Sequence, residues 1–187
     1  MKILQISGSG RDSGKTTFGC AVIAAFPSLR WAAVKVTLHT FHDEFHAGPV
    51  SVALPVPLRK DSKDTDRFLD AGAVEAHLRN APLTTSFLSS YADRADVVLI
   101  ESGQTLSGLR WPLLRLVIAP PDAALWKPGF VDRLMGADVL VLTGASVPAA
   151  ASVIPSGLCV FSQPDPAALA ASLHPCLATF FYSVDAS

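Results

Sequence analysis

Nine residues near the start of the chain hold its densest chemistry: Ser9-Gly10-Arg11-Asp12-Ser13-Gly14-Lys15-Thr16-Thr17. Glycines and small hydroxyls running into a lysine and two threonines make a loop suited to wrapping an anion. Successive backbone N–H groups from Gly10 to Thr16 can curl around a phosphate, and a helix starting there adds the positive end of its dipole. The spacing matches the phosphate-loop pattern Gly-x-x-x-x-Gly-Lys-Ser/Thr at every place but the first, where Ser9 stands between Gly8 and Gly10. In such a loop Lys15 meets the β and γ phosphates of a nucleoside triphosphate, Thr16 a magnesium ion, and Thr17 the neighbourhood of the α phosphate.

A site of this kind needs a second anchor, a carboxylate at the end of a neighbouring apolar strand, to hold the magnesium or its waters. Val97-Val98-Leu99-Ile100-Glu101 supplies one. Thr16 and Glu101 are therefore the expected metal residues, with Mg2+ and GTP or ATP as the expected cofactors. Asp96 precedes the same strand and falls at the opposite edge of the sheet, away from the site.

The loop works only between a strand and a helix, and the flanking sequence has that form. Lys2 to Ser7 reads as a strand, Thr16 to Phe26 as a helix ended before Pro27, and Trp31 to Thr37 as a strand with a nearly continuous apolar face. Further strands are predicted at Val74 to Leu78, Asp96 to Glu101, Leu114 to Ala119, Asp138 to Thr143 and Leu158 to Phe161. Helices are predicted at Lys63 to Asp70, Leu83 to Ala92, around Phe130 to Met135, and at Asp165 to Leu173. Val50 to Val56 is a candidate strand that Pro55 and Pro57 confine to an edge or hairpin, and Ala145 to Pro155 reads as a loop. The alternation predicts an α/β fold: a mostly parallel sheet with helices on both faces, the P-loop NTPase fold. With 187 residues, one domain spanning 1–187 is expected.

With these residues placed, the chain resembles the molybdopterin-guanine dinucleotide biosynthesis protein B family, nucleotide-binding accessories of molybdenum cofactor maturation. Four blocks carry the likeness. Ser13-Gly14-Lys15-Thr16-Thr17 is close to the family's NSGKTT, and Val34-Lys35-Val36-Thr37-Leu38-His39 is similar to its IKHTHH. Lys63-Asp64-Thr65-Asp66-Arg67-Phe68-Leu69-Asp70-Ala71-Gly72-Ala73 fits KDSxRxxEAGA with the Asp, the Arg and the AGA in register. Val98-Leu99-Ile100-Glu101-Ser102-Gly103 stands where the family has LVEGF.

The resemblance spans residues 1 to about 105 and implies a GTP-binding accessory with slow NTPase activity that supports nucleotide attachment to molybdopterin. It implies that Lys35, Asp64 and Arg67 approach the nucleotide or its reaction partner, with Lys15, Glu101, Arg67 and Asp64 as the catalytic set. Asp64 and Arg67, three apart on a helix, can instead form a plain surface ion pair. The implied partners are a nucleoside triphosphate, a separate molybdenum cofactor nucleotidyltransferase and a second copy of the chain in a homodimer. A small-molecule kinase or ATP-dependent ligase of the same branch is the alternative, as is a nucleotide-sensing module that does not hydrolyse. Guanine is normally read by an Asn-Lys-x-Asp after a strand, whereas the comparable strand here ends Leu142-Thr143-Gly144-Ala145-Ser146, without a carboxylate. The preference for GTP over ATP therefore rests on the resemblance alone.

Other features carry less. His39, His42, Asp43, Glu44 and His46 crowd the segment after the second strand, which can be a switch-like loop over the phosphates, a substrate contact or a metal site. His77 and His174 read as structural, and Trp111, Trp126 and Phe130 as filling the second face of the sheet. Apolar residues make up 50% of the chain, yet no uninterrupted run approaches the roughly 20 that a membrane-spanning helix needs, so the surplus reads as buried sheet. The start lacks the pattern of a secretory signal, and a cytoplasmic location is expected. A net charge of -1 gives no basic footprint for nucleic acid and no polybasic membrane patch. Cys20, Cys159 and Cys176, odd in number and widely spaced, read as buried apolar cysteines.

Overall fold

The computed structural model of the protein describes residues 1–10, 12–37, 63–144, 154–163 and 165–183. The candidate strand at Val50 to Val56, the cluster of His39, His42, Asp43, Glu44 and His46, Arg11 and most of the predicted loop at Ala145 to Pro155 lie outside the described residues. Seven strands form one sheet: β1 (Lys2–Gly8), β2 (Trp31–Val36), β3 (Glu75–Arg79), β4 (Val97–Glu101), β5 (Leu113–Ala119), β6 (Val139–Leu142) and β7 (Cys159–Ser162). Their order is β3-β2-β4-β1-β5-β6-β7, and every pairing is parallel. The helices are α1 (Lys15–Ala25), α2 (Lys63–Asp70), α3 (Thr85–Ser89), α4 (Phe130–Leu134) and α5 (Pro166–Tyr182), with a 3-10 turn at Ala123–Leu125.

Successive strand residues point to opposite faces, and both faces are covered, so the strands are apolar on both sides. Leu4 and Ile6 of β1, Val97 and Leu99 of β4, and Leu116 and Ile118 of β5 pack on one face with Phe18 and Val22 of α1, Phe68 of α2 and Leu173 of α5. Ile3, Val98 and Ile100 turn the other way, onto Leu88 of α3 and Tyr91. Val117, Ala119, Leu140 and Leu142 meet Phe130 and Leu134 of α4 on that second face. This is the α/β arrangement that the alternation of apolar runs predicts.

Most element ends move by a residue or two from the sequence reading; the helix predicted at Leu83 to Ala92 is shorter, Thr85–Ser89, and the last helix is longer. The last helix, predicted to stop at Leu173, runs through Pro175 to Tyr182. Pro175 is solvent-exposed, so water can satisfy the carbonyl its missing N–H leaves free. Beyond it Leu177 and Phe181 anchor the helix, with Phe181 edge-on against Trp31 and Phe26. Burial of those two side chains, worth about 1.5 to 3 kcal/mol each, offsets the proline's cost of about 3 kcal/mol.

The cysteines also differ from expectation. All three are free, but Cys20 and Cys176 are half-buried and Cys159 is exposed on edge strand β7. His77 pairs with Glu75 at 3.1 Å and meets Tyr91 edge-on, while His174 stacks on Phe26. Both fit the structural reading.

Candidate functional site

In a parallel sheet all strands end at the same edge, so residues leaving neighbouring strands there converge. β1 feeds Ser9 to Gly14 and then α1. β4 ends on Glu101, and β2 carries Lys35 in register with Glu101. Asp96 lies at the far end of β4, paired with Arg30 at 2.7 Å, as its position before the strand implies.

The loop owes its shape to two left-handed residues flanking Ser13. Gly14 has φ 85° and Asp12 has φ 56°, the latter in a region that aspartate tolerates better than most side chains. Alternation of this kind turns successive N–H groups toward one point, the geometry of an anion nest. Gly14 caps α1 without any side-chain hydrogen bond, and the first turn carries no acid, so the positive helix end is left uncompensated.

Ser9 replaces the first glycine of the pattern because no left-handed φ is needed there. It is buried behind the loop, its N–H donating to the Ile118 carbonyl at 3.0 Å. The glycine requirement falls instead on Gly8, where an added Cβ would sit 2.3 Å from Ser13 Oγ. The departure from the pattern is thus a shift of one residue.

The Lys15 ammonium donates to the Gly10 carbonyl at 2.6 Å and to Ser13 Oγ at 2.9 Å. Those oxygens form the ring of acceptors that phosphate oxygens would complete. Burial pushes the Lys15 pKa below the ordinary lysine range. The Glu101 carboxylate pulls it back up, and the Lys35 and Lys127 cations push it down.

Glu101, only 4% exposed, accepts from Thr16 Oγ1 at 2.7 Å through one oxygen and lies 3.1 Å from Lys35 Nζ through the other. Lys35 also pairs with Asp64 on α2. Burial draws the Lys35 pKa down, but the hydrogen bonds and charges of Asp64 and Glu101 outweigh it and hold it above the usual range. Arg67, one turn along α2, donates to Thr17 Oγ1 at 2.8 Å and stands 3.9 Å from Asp64. A run of polar contacts thus leads from Thr16 through Glu101, Lys35, Asp64 and Arg67 to Thr17.

These side chains border one open pocket of about 1050 Å³. Of the residues singled out from sequence, Gly10, Asp12 through Thr17, Lys35, Asp64, Arg67 and Glu101 line it; Ser9 lies beneath it. Three further lining residues belong to no sequence motif: Gln104, three residues after Glu101, and Lys127 and Arg133, which follow β5. Position alone could have flagged the last two, since cations just beyond the carboxyl end of a parallel strand face the same edge as the phosphate loop. A second, apolar groove of about 540 Å³ between α1 and α5 is lined by alanines, His174 and Pro175, and carries no group suited to phosphate.

Magnesium binds proteins through one or two oxygen ligands, with water and phosphate filling the remaining positions. A threonine hydroxyl and a buried carboxylate 2.7 Å apart, beside an uncapped helix end, suit that requirement. Among the described residues there is no gathered set of three or more His, Cys, Asp or Glu of the kind a protein-held metal needs. No helix among them is long and apolar enough to cross a membrane.

The parallel order and the loop between β1 and α1 define a protein of the P-loop NTPase fold. Solved structures of that fold match it. HypB from Helicobacter pylori, in complex with nickel, aligns over 100% of this chain and 91% of its own with a TM-score of 0.61 and 17% identity. MobB from Bacillus subtilis aligns over 93% of this chain and 97% of its own, with a TM-score of 0.50 and 20% identity. At these identities the likeness is one of fold, and in that sense the MobB-like resemblance read from the sequence is supported. No protein-family model matches the sequence, and no curated protein matches it.

Proposed function

We propose that the protein binds a magnesium nucleoside triphosphate on the Ser9 to Thr17 loop and serves as a slowly hydrolysing accessory protein. The observation that carries the binding reading is the Thr16–Glu101 hydrogen bond of 2.7 Å. It joins the first turn of the phosphate-loop helix to the acid of the neighbouring strand, the two groups that would hold the ion. Bound there, magnesium would neutralise phosphate charge, with Lys15 on the β and γ phosphates. Slow turnover follows from the carboxylates. Glu101 is engaged by Thr16 and Lys35, and Asp64 by Lys35 and Arg67, so neither is poised to take a proton from an attacking water.

The base and the pathway rest on the four sequence blocks shared with the MobB family. On that reading the nucleotide is GTP and the task is to support nucleotide attachment to molybdopterin beside a separate nucleotidyltransferase. A titration of GTP and ATP, each in magnesium and in EDTA, on the native chain and on Glu101→Gln tests it. The expected results are tighter GTP binding and, in Glu101→Gln, a loss in magnesium that exceeds the loss in EDTA. Equal losses in both conditions would reduce Glu101 to a strand-end residue. Labelled γ-phosphate released as free phosphate supports the NTPase reading, and label on a small acceptor would replace it with a kinase.

A further inference from the structure

The segment from Pro120 to Phe130 crosses the mouth of the phosphate loop, on the side opposite Lys35 and Arg67. Its path is set by its own contacts. Asp122 caps the 3-10 turn by accepting from the Ala124 N–H at 2.9 Å, and the Trp126 indole donates to the Pro120 carbonyl at 2.9 Å. The Lys127 N–H then reaches the Ser9 carbonyl at 3.4 Å, and Gly129, at φ 75°, turns the chain into α4. One turn into α4, Arg133 donates to the Gly8 carbonyl at 3.0 Å, tying α4 to the end of β1.

The Lys127 side chain lies flat across Gly10. A Cβ on Gly10 would meet Lys127 Cε at 3.3 Å, Cδ at 3.7 Å and Cγ at 3.9 Å. Gly10 is also the residue whose carbonyl receives the Lys15 ammonium. Lys127 is thus held at the end of the loop where Lys15 would meet the terminal phosphates. Charge points the same way. The described lining residues hold five cations (Lys15, Lys35, Arg67, Lys127, Arg133) against three carboxylates (Asp12, Asp64, Glu101). The excess of two matches the roughly two negative charges left on a nucleoside triphosphate once magnesium has neutralised part of it. Without Lys127 and Arg133 the described lining would be neutral.

We propose that Lys127 is a phosphate-contacting residue, a cation supplied from the β5–α4 segment to the terminal phosphate of the bound nucleoside triphosphate, with Arg133 positioning that segment. The inference deepens the nucleotide-binding reading and rests on it. The small downward push of the Lys127 cation on the Lys15 pKa is consistent with the closeness that the Gly10 contacts show. Lys127 itself is exposed, with its stem laid over Gly10, so its ammonium is accessible to an incoming phosphate.

The test compares triphosphate with diphosphate. Affinities for GTP and GDP in magnesium are measured for the native chain, Lys127→Ala, Lys127→Arg and Lys15→Ala. A charge-assisted contact confined to the terminal phosphate predicts that Lys127→Ala weakens GTP binding about ten- to hundredfold while changing GDP binding less than about threefold. Lys127→Arg should recover most of the loss, because the charge is kept. Equal effects on GTP and GDP, or no effect on either, while Lys15→Ala still abolishes binding, overturn the role of Lys127 alone. If Lys15→Ala binds both nucleotides like the native chain, the phosphate site itself is wrong and the proposal falls with it.

Discussion

Lys35 and Glu101 face each other across β2 and β4 at the same register, with the ammonium 3.1 Å from a carboxylate that is almost fully buried. Lys35 therefore acts as the internal counter-ion of the site. It is shared between Glu101 and Asp64 and offsets one of their two negative charges.

Removing that counter-ion should cost stability. Breaking a buried pair leaves an uncompensated charge, and with Lys35 19% exposed, Lys35→Met is expected to cost about 2 to 3 kcal/mol at neutral pH in EDTA, somewhat below the range for fully buried pairs. The sign with pH follows from the raised Lys35 pKa. Its stabilising contribution is fully present below the ordinary lysine pKa and is lost as the pH rises through the raised value. Urea denaturation of both chains in EDTA checks it. A loss under about 0.5 kcal/mol would show that Glu101 does not depend on Lys35.

The phosphate-loop lysine should behave in the opposite way. Burial lowers the Lys15 pKa, so its charge destabilises the free protein at neutral pH, and that cost fades as the pH rises past the lowered value toward the unfolded one. Lys15→Met keeps the stem and deletes the charge. It is expected to raise the melting temperature of the nucleotide-free chain, by a margin that shrinks in alkaline buffer, while losing most GTP affinity. A melting temperature below that of the native chain at pH 7 would contradict this account of the site.

The glycine requirement gives a paired test. Ser9→Gly restores the standard pattern but adds only backbone freedom, so it should leave nucleotide affinity within about twofold and cost up to about 1 kcal/mol of stability. Gly8→Ala forces a Cβ to within 2.3 Å of Ser13 Oγ and 3.1 Å of the Ile118 carbonyl, so the Ser13 hydroxyl must swing away and give up its contacts to the Gly10 carbonyl and Lys15. Overpacking of this kind costs about 1 to 3 kcal/mol, enough for a ten- to hundredfold loss of affinity. If the two substitutions have equal effects, the shifted glycine is not what shapes the loop.

Much of this site could be read in advance because its parts are local in sequence. The loop, its helix and the terminal acid of β4 announce themselves through glycine spacing and an unbroken aliphatic run. Lys35 could be suspected only from the family likeness, because nothing in Val34-Lys35-Val36 says that β2 lies beside β4. That adjacency is a matter of strand order, since β3 and α3 intervene in the chain. Lys127 and Arg133 carry no motif and are marked only by their position after β5, and they reach the loop because β5 pairs with β1. The length of α5 is not legible in the sequence because the anchoring of Phe181 against Trp31 is a tertiary contact that outweighs a helix-breaking proline.

The least generic feature of the sequence, Asp64 with Arg67, divides a surface reading from a functional one. Their direct contact is long, 3.9 Å, with Arg67 45% exposed, and an i,i+3 pair of that kind contributes at most about 1 kcal/mol. The stronger contact of Arg67 is its 2.8 Å hydrogen bond to Thr17, the residue after the helix position that would meet magnesium. A guanidinium on Thr17 borders the phosphate pocket, where it could meet charge that grows on the phosphate during transfer. Loss of such a contact is worth at least about 1.4 kcal/mol, so Arg67→Ala is expected to cut nucleotide turnover roughly tenfold or more. Arg67→Lys should recover only part of it, because a lysine keeps the charge but not the planar fork. Turnover and thermal denaturation measured on the same preparations decide the matter. Unchanged turnover with a melting temperature lowered by a degree or two would leave Arg67 as a surface partner of Asp64 and Thr17, and would remove the strongest reason for linking this chain to the molybdenum cofactor branch.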